Sequence, residues 1–191
     1  MPVRPLPPAV YLLHKPVGFV TATAAAGQRT VLELLPEAER GGLFPVGRLD
    51  KDSEGLLLLT RDGDFCRRVI RPESIVWKTY YIEVSRPFAP DVAERFRAGL
   101  TLPEGRRLLP AEIAVAPDGL RAVVRVREGI THQVRRMAAA VGTYVTYLKR
   151  LSIGDLTLDE DLPPGAWRLL TDEEREAVFA PVSAPLRFPD E

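Results

Sequence analysis

The segment Gly47-Arg48-Leu49-Asp50-Lys51-Asp52-Ser53-Glu54-Gly55 crowds three carboxylates and two cations into nine residues, directly ahead of the apolar run Leu56 to Leu59. An apolar run bounded by turn residues suits a buried strand. Carboxylates at its mouth stand where burial and a nearby cation can tune them for acid, base or nucleophilic work. Spacing alone leaves other readings open. Asp50 and Asp52 also fit as turn residues that hydrogen-bond their own backbone. Asp50-Lys51-Asp52-Ser53 further matches the D-x-D-[ST] pattern of a phosphoryl-transfer nucleophile loop. Such a loop should follow an apolar strand, which Phe44-Pro45-Val46-Gly47-Arg48 makes poorly, and no acidic magnesium cluster follows downstream.

A second chemical signal is a charge gradient under a net charge of zero. From Arg121 to Arg150 there are seven basic residues (Arg121, Arg125, Arg127, Arg135, Arg136, Lys149, Arg150) against Glu128 alone. From Asp155 to Glu191 ten acids stand against three arginines. A basic segment balanced by an acidic one fits a local nucleic-acid face as well as ordinary solvated surface. The lone cysteine, Cys66, excludes an internal disulfide framework and a cysteine-rich zinc site. No apolar run has the length of a signal-peptide core or a membrane span, so a soluble, cytoplasmic protein is expected.

These residues must be positioned by a chain of 191 residues, enough for one domain with a substantial core. Residues 1–9 are proline-rich and expected to be extended. Val10 to Leu13 predicts a short strand, continued over Phe19 to Thr23 after the turn His14 to Gly18. Thr30 to Leu35 and Asp64 to Ile70 predict short helices, and Leu56 to Thr60 and Val76 to Val84 predict strands. Pro90 to Ala98 carries the proline-first, glycine-last polarity of a helix. Glu112 to Ala116 and Leu120 to Arg127 predict a hairpin across Pro117-Asp118-Gly119, its second strand presenting arginines on one face. Thr131 to Val141 reads as a helix and Tyr144 to Ile153 as a strand. A short acidic helix follows Pro163-Pro164, and residues 179–191 form a proline-spaced tail expected to be open to disorder. Hairpins separated by short helices argue for an α+β fold, with one catalytic domain over residues 10–178.

Four segments, in order, resemble the ribosomal small-subunit-A branch of the pseudouridine synthases. Gly47 to Thr60 matches its G-R-L-D-x-D-[ST]-x-G-L-L-x-L-T motif at every specified position. Leu13 to Gly18 is similar to its N-K-P-x-G element, with His14 at the asparagine. Lys78-Thr79-Tyr80 resembles its K-x-Y strand, and Gly129 to Met137 its G-R-x-H-Q-V-[RK]-R-M element, with Ile130 at the arginine. The resemblance runs from Leu12 to Leu158. It implies a long, mostly antiparallel mixed sheet with flanking helices and a cleft across its middle.

The resemblance also implies roles. Asp50 is the family carboxylate, attacking or stabilising the electron-deficient C1′ of a uridine, or assisting a glycal route. Tyr80 lies against the base and is a candidate for proton transfer. Arg135 pairs bidentately with Asp50 and holds it oriented. Arg48 compensates for the extruded base. Lys15, Lys78, Arg136, Arg125 and Arg127 are expected RNA contacts, while His132 and Gln133 orient the helix of Arg135. No cofactor or metal is implied, and the expected partner is ribosomal RNA, as a stem-loop or in a precursor particle, bound by a monomer. The short stretch before the first motif is similar to members without an N-terminal S4 module, the large-subunit type E enzymes. That likeness gives a uridine of 23S ribosomal RNA as the expected target. A noncatalytic ribosome-assembly factor on the same fold is the alternative.

Overall fold

The computed structural model describes residues 7–189 of the chain. The first half runs through β1 (Val10–Lys15), a 3-10 turn (Val31–Leu34), α1 (Glu37–Arg40), β2 (Phe44–Val46), β3 (Glu54–Thr60), α2 (Gly63–Ile70) and β4 (Lys78–Val84). The second half runs through α3 (Val92–Ala98), β5 (Glu112–Val115), β6 (Arg121–Val126), α4 (Gln133–Ala140), β7 (Val145–Ile153), β8 (Leu156–Thr157), β9 (Trp167–Leu169) and α5 (Asp172–Ala177).

The strands form one mixed sheet ordered β5-β6-β4-β7-β3-β1-β9, with β2 added to β3 and β8 to β7. Every pairing is antiparallel except β3 with β7, which are parallel at Glu54–Lys149 and Gly55–Arg150. That parallel seam is the middle of the sheet. It joins two antiparallel halves, and the loop carrying Asp50 opens onto it.

The four leucines that follow the seam along β3, Leu56 to Leu59, explain why this strand is central. Leu57 and Leu59 enter one core with Leu13, Ile82, Val124, Leu148, Phe96 and Met137, whereas Leu56 and Leu58 enter another with Leu12, Phe65, Val69 and Val178. A strand buried on both faces reads as an unbroken apolar run rather than an alternating one. At Gly55 the chains approach closely: a Cβ there would lie 2.3 Å from the Arg150 carbonyl oxygen, and φ is +115°.

The helices follow their local signals. Asp62 caps α2, its carboxylate accepting from the Asp64 and Phe65 amides. Thr30 and Glu33 form a reciprocal cap on the 3-10 turn. Three expectations change. Phe19 to Thr23 is not a strand; only Val20 makes a bridge, to Thr30, after the chain turns at Gly18 with φ +100°. The short edge strand β9, pairing Tyr11 to Leu13 of β1, carried too little sequence pattern to be foreseen. The tail is anchored near its end: Phe188 is buried with Ala116 and Val123, and the Arg121 guanidinium lies 5.1 Å from its ring centre, while most residues from Pro181 to Arg187 are exposed. Of the N-terminal stretch, residues 1–6 lie outside the described residues, as do 190–191 of the tail.

Candidate active site

Asp50 sits in the turn between β2 and β3, and the turn is built around Lys15. The Lys15 side chain, at the end of β1, is wholly buried. Its Nζ donates to the carbonyls of Pro16 at 3.0 Å, Asp50 at 2.9 Å and Ser53 at 2.6 Å. Burial pushes its amine down to about 8, against the opposing pull of the Asp52, Asp50 and Glu54 carboxylates. Lys15 therefore cannot meet a phosphate; it is the internal tie that holds the backbone under Asp50. Thr21 adds a second tie, its hydroxyl donating to the Leu49 carbonyl at 2.7 Å.

The other wall is the start of α4. His132 holds a left-handed backbone, φ 55° and ψ 31°, the only such non-glycine among the described residues. That conformation is unfavourable by roughly 1–2 kcal/mol for an L-residue and accumulates at functional sites. It aims the imidazole at the catalytic loop, with Nε2 3.0 Å from Asp50 Oδ1. One turn on, Arg135 Nε lies 3.4 Å from Asp50 Oδ2, without hydrogen-bond alignment. Its Nη2 donates to Asp52 Oδ1 at 3.1 Å and Ser53 Oγ at 2.9 Å. The expected bidentate Asp50–Arg135 pair is thus replaced by a fork spread over three residues. The guanidinium braces the whole loop, and the second contact to Asp50 comes from His132.

Asp50, His132 and Arg135 line a cavity of about 490 Å³ together with Arg48, Lys78, Tyr80, Glu128, Ile130, Gln133 and Arg150. The size suits one nucleoside-sized ligand. Tyr80, on β4, is half-buried against the main core. Arg48 is exposed at the rim and forms no ion pair among the described residues, since Asp52 is taken by Arg135. Ile130 turns an apolar side chain to the cavity and the core where the family pattern has arginine.

Three of the expected RNA contacts lie elsewhere. Strand alternation turns Val124 and Val126 toward the main core and Arg125 to the opposite face of the sheet. There Arg125 pairs with Glu112 at 3.2 Å and donates to the Ala184 carbonyl at 3.3 Å, under the tail. Arg127 lies over the Trp77 ring, 5.6 Å from its centre, outside the cavity lining. Arg136 is rotated away from Asp50, as its place on the helix requires, and is paired with Glu104. The arginine-bearing face of the β5–β6 hairpin thus backs the sheet, away from the cleft.

Two residues of the cavity carry more than their sequence context suggests. His132, expected to orient the helix of Arg135, also touches Asp50, with Nε2 3.0 Å from Oδ1. Arg150 carried no signal beyond the basic gradient. Among the described residues no cluster of three or more His, Cys, Asp or Glu stands close enough to hold a metal ion.

Comparison with known proteins shows the family to which the chain belongs. The family model for RNA pseudouridylate synthase matches residues 9–140. The chain belongs to that family. It is 42% identical over 175 residues to the ribosomal small subunit pseudouridine synthase A of Yersinia pestis, covering 91% of this chain and 74% of that protein. Against the enzyme of the same name from Escherichia coli K12 it is 39% identical over 171 residues, with 90% and 74% covered. An uncharacterized RNA pseudouridine synthase of Bacillus subtilis is 41% identical over 177 residues, again with 90% and 74% covered. Among solved structures, a pseudouridylate synthase superposes with a TM-score of 0.85 at 33% identity, over 90% of this chain and 74% of that one.

As an RNA pseudouridine synthase, the enzyme detaches uracil from C1′ through N1 and rejoins it through C5. The geometry supplies a carboxylate fixed from both sides. Lys15 and Thr21 anchor its loop, and His132 and Arg135 flank its oxygens, so the carboxylate is preorganised.

Proposed function

We propose that this enzyme isomerises one uridine of small-subunit ribosomal RNA, with Asp50 as the carboxylate that meets C1′. The observation that carries the reading is the Asp50 carboxylate, held by His132 at 3.0 Å and Arg135 at 3.4 Å on the wall of a cavity shared with Tyr80. Tyr80 supplies the aromatic face for the extruded base and a hydroxyl for proton transfer. Arg48, unpaired at the rim, meets the RNA near the vacated position. Relatives about 40% identical over nine-tenths of this chain carry the small-subunit name, which supports a 16S target in place of the expected 23S one.

The test is a pseudouridine map of both ribosomal RNAs from cells with and without the gene, read by carbodiimide adducts and primer extension. Loss of a single 16S position, restored by wild type and not by Asp50→Asn, supports the proposal. Loss of a 23S position instead assigns the enzyme to the large subunit. An unchanged map in all ribosomal and transfer RNA favours the noncatalytic assembly role.

A further inference from the structure

Arg150 is a buried cation whose guanidinium has one hydrogen bond among the described residues, through Nε. It lies on β7, 4% exposed, and its Nε donates to the Leu56 carbonyl at 2.7 Å. Its Nη2 is buried without a hydrogen-bond acceptor among the described residues, and the residue lines the cavity that holds Asp50. Across the β4–β7 ladder its partner is Tyr80, so both side chains leave the same face of the sheet. Two residues along β4, Lys78 lines the same cavity; burial, then the Arg150 charge, push its amine down to about 8. Neither cation has a carboxylate partner among the described residues. The two acids of the cavity are engaged elsewhere, Asp50 by His132 and Arg135, and Glu128 by the Leu109 amide at 2.6 Å.

Two like charges in a desolvated floor, with no counter-charge, are unfavourable unless an anion joins them. The geometry distinguishes which anion. A phosphate is best met by an open guanidinium fork near the surface. Here the guanidinium is buried, 4% exposed, with Nε spent on Leu56, so its remaining N–H groups suit a carbonyl oxygen of a base that enters the cavity and not a backbone phosphate at the surface. The cavity must admit the base if Asp50 is to reach C1′. When the N1–C1′ bond breaks, its electron pair stays with N1, and the uracil carries a negative charge shared with O2 and O4. That charge is discharged when C5 bonds to C1′, C5 gives up its proton and N1 takes one. Nothing else is consumed.

We propose that Arg150, seconded by Lys78, binds a uracil carbonyl oxygen and stabilises the base while it is detached as an anion. The inference rests on the isomerase reading of this cleft, which turnover of the same RNA by wild type tests independently. The experiment compares single-turnover loss of the N1–C1′ bond in two RNAs, carrying uridine or 5-fluorouridine at the target, by wild type, Arg150→Lys, Arg150→Met and Lys78→Met; this step is common to both bases, whereas fluorine leaves no C5 proton to be released afterwards. Fluorine makes the ring a better-stabilised anion, so the fluorinated base needs less help. Arg150→Met should slow uridine conversion roughly 100-fold, slow the fluorinated base less than about tenfold, and leave the RNA concentration dependence nearly unchanged. Arg150→Lys should recover part of the loss. If Arg150→Met fails to fold, Lys78→Met decides: lacking a partner, Lys78 can be removed with little change in Tm, and the same preferential loss on uridine is expected. Equal losses on both RNAs, or losses confined to RNA binding, would overturn the proposal.

Discussion

Replacing Lys15 with methionine keeps the apolar stem and removes the ammonium that ties the catalytic loop together. Three carbonyls, those of Pro16, Asp50 and Ser53, lose a donor at 3.0, 2.9 and 2.6 Å. Each buried acceptor left unpaired costs about 1 kcal/mol or more. The gross loss is then roughly 3–5 kcal/mol, offset in part because burying the charge is itself unfavourable, as the amine's fall to about 8 records. The expected net destabilisation is about 2–3 kcal/mol. Urea unfolding followed through Trp77 and Trp167 measures it. Activity should suffer more than folding does. The same tie fixes the peptide of Asp50, and a carboxylate misplaced by about 1 Å can lose on the order of 100-fold in rate. Single-turnover conversion of a target RNA should therefore fall at least tenfold under conditions where the variant is folded. Stability within about 0.5 kcal/mol of wild type, with a rate within about twofold, would refute the assignment of Lys15 as the internal tie.

Gly55→Ala should be severe, because a Cβ would meet the Arg150 carbonyl oxygen at 2.3 Å in a backbone with φ +115°; a loss above about 3 kcal/mol is expected in urea unfolding. His132→Ala should lower the chemical rate about tenfold or more with little loss of Tm, since the imidazole is over half exposed yet 3.0 Å from Asp50; single-turnover kinetics beside thermal melts will tell. The hydrogen bond from Arg168 holds the Glu174 carboxyl down to about 2, from 4.5. A lowered carboxyl contributes stability that is full above pH 4.5 and lost as pH falls toward 2. Arg168→Met should flatten that acid limb by about 1 kcal/mol, allowing for solvent screening, as read from unfolding at pH 6 and pH 3.

The central strand and the catalytic loop were legible because several signals agree there. Leu56 to Leu59 is apolar throughout, and both faces of β3 are buried. The Gly47 to Thr60 motif carries Asp50 with it. What stayed hidden is mostly a matter of faces. Alternation along Arg121 to Arg127 marks an arginine-bearing face, but a sequence does not say whether that face meets solvent, RNA or the tail. It meets the tail at Arg125 and Phe188. Lys15 shows the same limit, since lysine is usually exposed and its burial follows only from three carbonyls that the folded turn assembles. The reach of His132 to Asp50 depends on a left-handed backbone at the helix entrance, which no spacing rule anticipates.

The most direct test of the account is single-turnover reaction of Asp50→Asn with RNA carrying 5-tritiated uridine at the target, since forming the C5–C1′ bond must release that tritium. The account predicts a variant that melts within a few degrees of wild type, binds the RNA, and releases no tritium above background. Release at a rate near that of wild type would contradict the assignment of Asp50 and, with it, the mechanism built on this cleft.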